Sequence, residues 1–151
     1  AQGAFESGSL SEERGPRLLR MLEANLIYSY TLARAVVPAM RHRKNGRIVL
    51  VGSRSVLRGA GGMVAYNAAK GGVHALSASL ADELGGQGIA VNLVAPSVID
   101  TPRNRRALPE ADPTQWATLD DVADSALFLA SPLAMSLRGS VLVPAGPGGQ
   151  P

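Results

Sequence analysis

Cysteine is absent from this 151-residue chain, which excludes disulfides, thiolate catalysis and cysteine-ligated metal sites and fits a reducing compartment. Histidine is scarce too: His42 and His74 stand far apart and are too few for a zinc site. Aromatic residues make up 4%, and none is interleaved with the two basic groups, Arg41-His42-Arg43-Lys44 and Arg103-Asn104-Arg105-Arg106. The net charge of +3 therefore lacks the stacking side chains of a nucleic-acid surface, and no such partner is expected. No apolar run approaches the ~18 residues of a membrane span, and no basic stretch leads into an apolar one. The chain opens Ala1-Gln2-Gly3 without a start methionine. The expectation is a cytoplasmic protein with no metal and no membrane partner.

What is present is the balance of a globular domain, 46% hydrophobic and 18% charged residues, without an internal repeat. From Arg17 to Arg43 the apolar residues Leu18, Leu22, Ile27, Leu32, Val36 and Met40 recur at helical spacings, which predicts a long helix buried on more than one side. Pro38 should bend or end it early, and the basic group Arg41 to Lys44 suits a helix end before Asn45-Gly46. Arg47 to Val51 is a β-branched run without alternation, the pattern of a strand buried on both faces of a parallel sheet. Residues 54–64 are glycine-rich and aperiodic and read as a loop; Tyr66 to Leu84 reads as a second long helix.

Ile89 to Val94 is a second buried strand, Pro96 to Trp116 an irregular excursion, Leu119 to Ala130 a short helix with Thr118 and Asp121 as a capping pair, and Ser140 to Val143 a third strand. Alternating strands and helices with long crossovers indicate an α/β fold, a Rossmann-like doubly wound parallel sheet. Three strands do not complete such a sheet, and no Gly-rich turn links a strand to a helix as a pyrophosphate site requires. Residues 1–151 are thus expected to be part of a single domain whose N-terminal half is missing, with 144–151 a loose tail.

Tyr66 and Lys70 stand four apart on a helix and share a face. A phenol with an ordinary pKa of about 10 is a poor acid-base group at neutral pH, and a nearby cation lowers that value. Taken alone, the pair occurs on many helices as an amphipathic edge. Thirteen residues upstream lies Ser53, just past a buried strand, where parallel sheets place reacting groups. Asn25 lies 28 residues before it, a poor helix former inside an apolar helix.

Asn25, Ser53, Tyr66 and Lys70 at these spacings resemble the tetrad of the short-chain dehydrogenases/reductases. Asn45-Gly46-Arg47-Ile48-Val49, Val91-Asn92-Leu93-Val94-Ala95-Pro96 with Thr101-Pro102, and Gly139 to Val143 are similar to the family's flanking segments, so the resemblance runs along nearly the whole chain. It implies an NAD- or NADP-dependent oxidoreductase that interconverts a carbonyl and an alcohol, with hydride coming from the cofactor. By the same resemblance Tyr66 is the general acid or base, Ser53 a hydrogen-bond donor to the substrate oxygen, Lys70 the group that lowers the Tyr66 pKa and holds the nicotinamide ribose, and Asn25 the residue that orders a water beside Lys70.

Pro96, Ser97, Ile99 and Thr101 match positions flanking the nicotinamide, with Ser97 where the family usually has glycine, and Gly3 matches the end of a turn beside the adenine ribose. Ala145 and Pro147 stand where the family often has Asp and Gly. The family also implies a homodimer or homotetramer formed through the two long helices. The segment Thr101 to Trp116 is similar to the shortened lid of dihydropteridine reductase and its bacterial relatives, which makes a quinonoid dihydropteridine an alternative to a simple carbonyl substrate. Arg103, Arg105 and Arg106 are either contacts for an anionic substrate or a solvated loop, and Trp116 is a lid anchor. The isolated chain is expected to be an incomplete enzyme; the other reading is a non-catalytic dimerisation or interaction module.

Overall fold

The computed structural model describes residues 4–12 and 15–146; Gly3 and residues 147–151 of the expected tail lie outside them. A helical arm comes first, made of α1 (Arg17–Met21), a π-helical segment (Leu22–Ile27) and α2 (Tyr28–Arg43). It is followed by β1 (Gly46–Val51), α3 (Arg54–Arg58), α4 (Val64–Gly85), β2 (Ile89–Val94), α5 (Pro102–Ala107), α6 (Leu119–Ala130) and β3 (Val141–Leu142). The strands form one parallel sheet in the order β1-β2-β3, with Gly46 facing Ile89 and Leu93 facing Val141.

β2 is buried along its whole length, because it is the central strand and both faces are covered. On one face Ile89, Val91 and Leu93 join Ile48 and Leu50 of β1 against Val37, Val73 and Leu84 of the helices. On the other, Val94 packs with Val49, Leu129 and Ala134. Helices on both faces make the sheet doubly wound, as the alternation of elements predicts. β1 is less enclosed than its composition suggests, since its residues alternate buried and half-buried and Val51 is exposed. Asn92 is the one polar residue of β2. It donates from Nδ2 to the Leu137 carbonyl at 2.9 Å and accepts the Ser140 N–H on Oδ1 at 3.0 Å, and so ties the start of β3 to the sheet.

The arm departs from expectation in two ways. It is buried along a single stripe, Met21, Asn25, Ala33 and Val37, while Leu18, Leu32 and Val36 are exposed. Apolar spacing specifies which side chains share a face but not how many faces find a neighbour. Pro38 sits inside α2, which runs on to Arg43. Because proline has no N–H to donate, the Arg34 carbonyl loses its helical hydrogen bond; Arg34 is exposed, so that carbonyl is open to solvent and the helix tolerates the loss. Lys44 then takes the left-handed conformation at φ 49° and ends the helix, one residue before the Asn45-Gly46 stop.

Residues 54–58 form a helix rather than a loop, because the Ser53 hydroxyl accepts the Ser55 N–H and caps it. The strand expected over 140–143 is reduced to Val141–Leu142. The capping pair of α6 is realised in both directions, with Asp121 N–H donating to Thr118 Oγ1 at 3.0 Å and Thr118 N–H to the Asp121 carboxylate at 2.8 Å. Pro144 and Gly146, assigned to a loose tail, are buried. At Gly146 a β-carbon would collide with the Trp116 carbonyl, so the backbone there runs tight against the buried Trp116.

Candidate active site

A cavity of about 190 Å³ opens beyond the C-terminal end of β1, lined by Asn25, Ser53, Tyr66, Lys70 and the segment Pro96, Ser97 and Ile99. Three elements deliver its polar groups. The π-helical segment carries Asn25, the turn after β1 carries Ser53, and the first turns of α4 carry Tyr66 and Lys70. All four side chains singled out from sequence spacing are therefore brought together at the carboxyl end of a parallel strand, where α/β folds place their chemistry.

Lys70 is buried, at 7% exposure. Its ammonium donates to the Val51 carbonyl at 2.9 Å and lies 5.9 Å from the centre of the Tyr66 ring. Burial holds its pKa below the ordinary lysine value. Burial also pushes the Tyr66 phenol above its ordinary value, and the Ser53 hydroxyl within hydrogen-bonding reach opposes this in part. Burial is the larger of these two influences, and the Lys70 ammonium gives its hydrogen bond to Val51 rather than to the phenol.

Asn25 is 2% exposed. Its amide donates from Nδ2 to the carbonyls of Ala4 and Met21, each at 3.0 Å, while Oδ1 is buried without a protein partner. A buried unpaired amide oxygen costs about 1–3 kcal/mol, so the cavity-lining Asn25 is suited to receive a donor from water or ligand. Its backbone carbonyl is already taken by the Ser29 hydroxyl at 2.6 Å.

Pro96, Ser97 and Ile99 form the wall opposite the helix. Thr101 is not among the lining residues; its hydroxyl caps α5 by accepting the Asn104 N–H at 3.1 Å. Gly3 lies outside the described residues. Arg105 is paired in two bonds with Asp100 at 2.6 and 2.7 Å. Arg103 and Arg106 are exposed on α5 and are not part of the cavity lining.

Several contacts were not evident from sequence. Phe5 meets the Tyr66 ring edge-on, with centroids 5.0 Å apart at 84°. His74, one turn past Lys70 and half-buried, accepts the Ser53 N–H on Nε2 at 3.3 Å. The Ser53 hydroxyl lies 2.8 Å from that of Ser55, which donates to Asn67 Oδ1 at 2.6 Å. His74 falls four residues after Lys70 on one helix face, a spacing visible in the sequence; nothing local signals the pairing of Ser55 with Asn67. No cluster of His, Asp and Glu suited to a metal occurs among the described residues, and none of the described helices is long and apolar enough to cross a membrane.

The family profile described as Enoyl-(Acyl carrier protein) reductase matches residues 3–146. Among curated proteins, the 3-oxoacyl-[acyl-carrier-protein] reductase of Escherichia coli K12 is 36% identical over 130 residues, covering 81% of this chain and 53% of that protein. Among solved structures, an oxidoreductase of the short chain dehydrogenase/reductase family from Burkholderia thailandensis superposes with a TM-score of 0.87 at 34% identity, covering 97% of this chain and 62% of its own. The structure of ElxO with NADP bound superposes with a TM-score of 0.89 at 25% identity, covering 98% and 64%. The chain spans about half the length of the curated relatives it matches.

Proposed function

The chain belongs to the short-chain dehydrogenase/reductase family, and from that premise we propose that it carries the catalytic part of an NAD(P)-dependent oxidoreductase that interconverts a carbonyl and an alcohol. The observation that carries this reading is the convergence of Asn25, Ser53, Tyr66 and Lys70 on one cavity at the end of β1. Tyr66 is the proton donor to the carbonyl oxygen, or the acceptor of the hydroxyl proton in the reverse direction. Burial raises its phenol above the ordinary value, so the free site holds the proton-donor form.

Ser53 binds the same substrate oxygen. Lys70 would hold the ribose hydroxyls of the cofactor, and the wall of Pro96, Ser97 and Ile99 would flank the nicotinamide. A bound nicotinamide supplies or takes the hydride. The residues present suit that end of a dinucleotide: the buried Asn25 oxygen and the Lys70 ammonium offer one acceptor and one cation in a cavity of about 190 Å³, room for a ring rather than a whole cofactor. NADP is favoured by the bound cofactor of the 25% identical ElxO, and a 3-oxoacyl thioester by the E. coli reductase.

A second reading, a dimerisation or interaction module, rests on the exposed apolar residues Leu18, Leu32 and Val36 of the arm and on the lack of a pyrophosphate-binding turn in these 151 residues. A quinonoid dihydropteridine is an alternative substrate, supported by the pattern from Thr101 to Trp116. The deciding experiment is titration with NADH and NADPH by nicotinamide fluorescence, with a size measurement alongside, followed by oxidation of the bound cofactor with a 3-oxoacyl thioester and with dihydropteridine. In the full-length protein, saturable binding, and turnover that drops by about 100-fold or more in Tyr66→Phe, is the expected result, whereas these 151 residues alone are expected to turn over weakly or not at all. A folded oligomer that binds neither cofactor favours the module.

A further inference from the structure

The hydroxyl groups around Ser53 form a chain whose direction is fixed by counting protons. A serine hydroxyl has one proton to give, whereas an amide oxygen has none. Ser55 gives its proton to Asn67 Oδ1 at 2.6 Å, so the proton in the 2.8 Å contact between the Ser53 and Ser55 oxygens belongs to Ser53. Ser53 Oγ also accepts the Ser55 N–H at 3.3 Å, and its backbone N–H is held by His74 at 3.3 Å. Backbone and side chain are thus both constrained, and what Ser53 Oγ leaves for the cavity, which Tyr66 also lines, is a lone pair.

We propose that Ser55 and Asn67 are positioning residues that hold the Ser53 hydroxyl proton, Ser53 donating to Ser55 and Ser55 to the Asn67 amide oxygen, and so withhold that proton from the cavity that Ser53 shares with Tyr66. The chain bridges α3 and α4 and ends on the residue next to Tyr66 itself. It leaves the Tyr66 phenolate without the Ser53 proton, and it means that a substrate oxygen must compete with Ser55 for that proton. This rests on the reading of Tyr66 as the acid-base group for its relevance to turnover, but the hydrogen-bond direction stands apart from that reading.

Among the described residues the only charged side chain lining the cavity with Tyr66 is Lys70, on the same helix. The neighbours contributed by other elements, Phe5, Ser53, Pro96 and Ile99 among them, carry no charge. His74, beyond Ser53, is held below its ordinary pKa and is neutral wherever the phenol titrates. A change in Tyr66 titration on altering Ser55 therefore reports on the hydroxyl chain.

The test follows the Cζ resonance of isotope-labelled tyrosine against pH in the full chain, with Tyr66→Phe assigning the signal against Tyr28 and Tyr30. Removing Ser55 frees the Ser53 proton to solvate the phenolate, so Ser55→Ala moves the Tyr66 midpoint down by about one pH unit. Asn67→Ala, which releases the Ser55 proton toward Ser53, moves it the same way, and Ser55→Thr, which keeps a hydroxyl, leaves it in place. An unchanged midpoint in both alanine variants overturns the proposal. So does an upward shift, the result required if the Asn67 amide is turned so that its NH2 donates to Ser55 and the chain runs in reverse. Because the titration needs no turnover, loss of the acid-base reading, seen as an active Tyr66→Phe, is separable from loss of this one.

Discussion

Lys70 gives a hydrogen bond to the Val51 carbonyl at 2.9 Å across the end of β1, which makes the cation a fastener between α4 and the strand that positions Ser53. The same geometry leaves its ammonium beside the Tyr66 ring, 5.9 Å from its centre, and largely desolvated.

Burial lowers the Lys70 pKa below 10.5, so in the window beneath that value the native state holds fewer protons than the unfolded chain. Stability linked to Lys70 is then complete above the unfolded value and declines as pH falls through the folded one. Lys70→Met keeps the packed stem and removes the buried charge, and should melt at or above the wild-type temperature at neutral pH while binding of reduced nicotinamide weakens by about tenfold or more. Thermal melts and fluorescence titrations check the two halves; a large drop in melting temperature would mean that the bond to Val51 outweighs the desolvation of the charge.

His74 is predicted to make the fold acid-sensitive. Its pKa is lowered from 6.5, first by burial and to a lesser degree by the Lys70 charge, with the Ser53 backbone opposing in part, and its Nε2 accepts the Ser53 N–H only when unprotonated. Below 6.5 the unfolded chain takes up a proton that the native state refuses, so stability present above that value is lost as pH falls through the folded pKa. Urea midpoints at about pH 7.5 and about pH 5 should fall further apart in the wild type than in His74→Gln, which retains an acceptor without the titration. Equal pH dependence in the two proteins would remove His74 from this role.

Asn92→Ala should cost about 2 kcal/mol or more in urea unfolding, because it leaves the Leu137 carbonyl and the Ser140 N–H without their buried partner. Since the loss falls on the join between β2 and β3, exchange of amide protons around Val141 should quicken before that around Ile48. A cost within about 0.5 kcal/mol, the range of an ordinary surface change, would show that water takes over both groups.

Much of the fold was legible because its signals are local. Ile89 to Val94 is apolar but for Asn92, and the strand has those bounds. Thr118 with Asp121 marks the start of α6 by a capping box that needs only four consecutive residues. Tyr66 and Lys70 share a helix face by periodicity alone. The misreadings arose where one residue serves two masters. Ser53 ends a strand and also caps α3, so a helix stands where the composition of 54–64 suggests only loop.

By itself the sequence determined the order of the elements, the parallel sheet and the candidate quartet of Asn25, Ser53, Tyr66 and Lys70, since these depend on hydrophobic period and residue spacing along the chain. Only the tertiary structure decided what surrounds each group: that burial raises the Tyr66 phenol, that Asn25 keeps an unpaired oxygen, and that Ser55 links the Ser53 hydroxyl to Asn67. Electrostatic environment and hydrogen-bond direction are set by neighbours distant in sequence, and no local pattern specifies them.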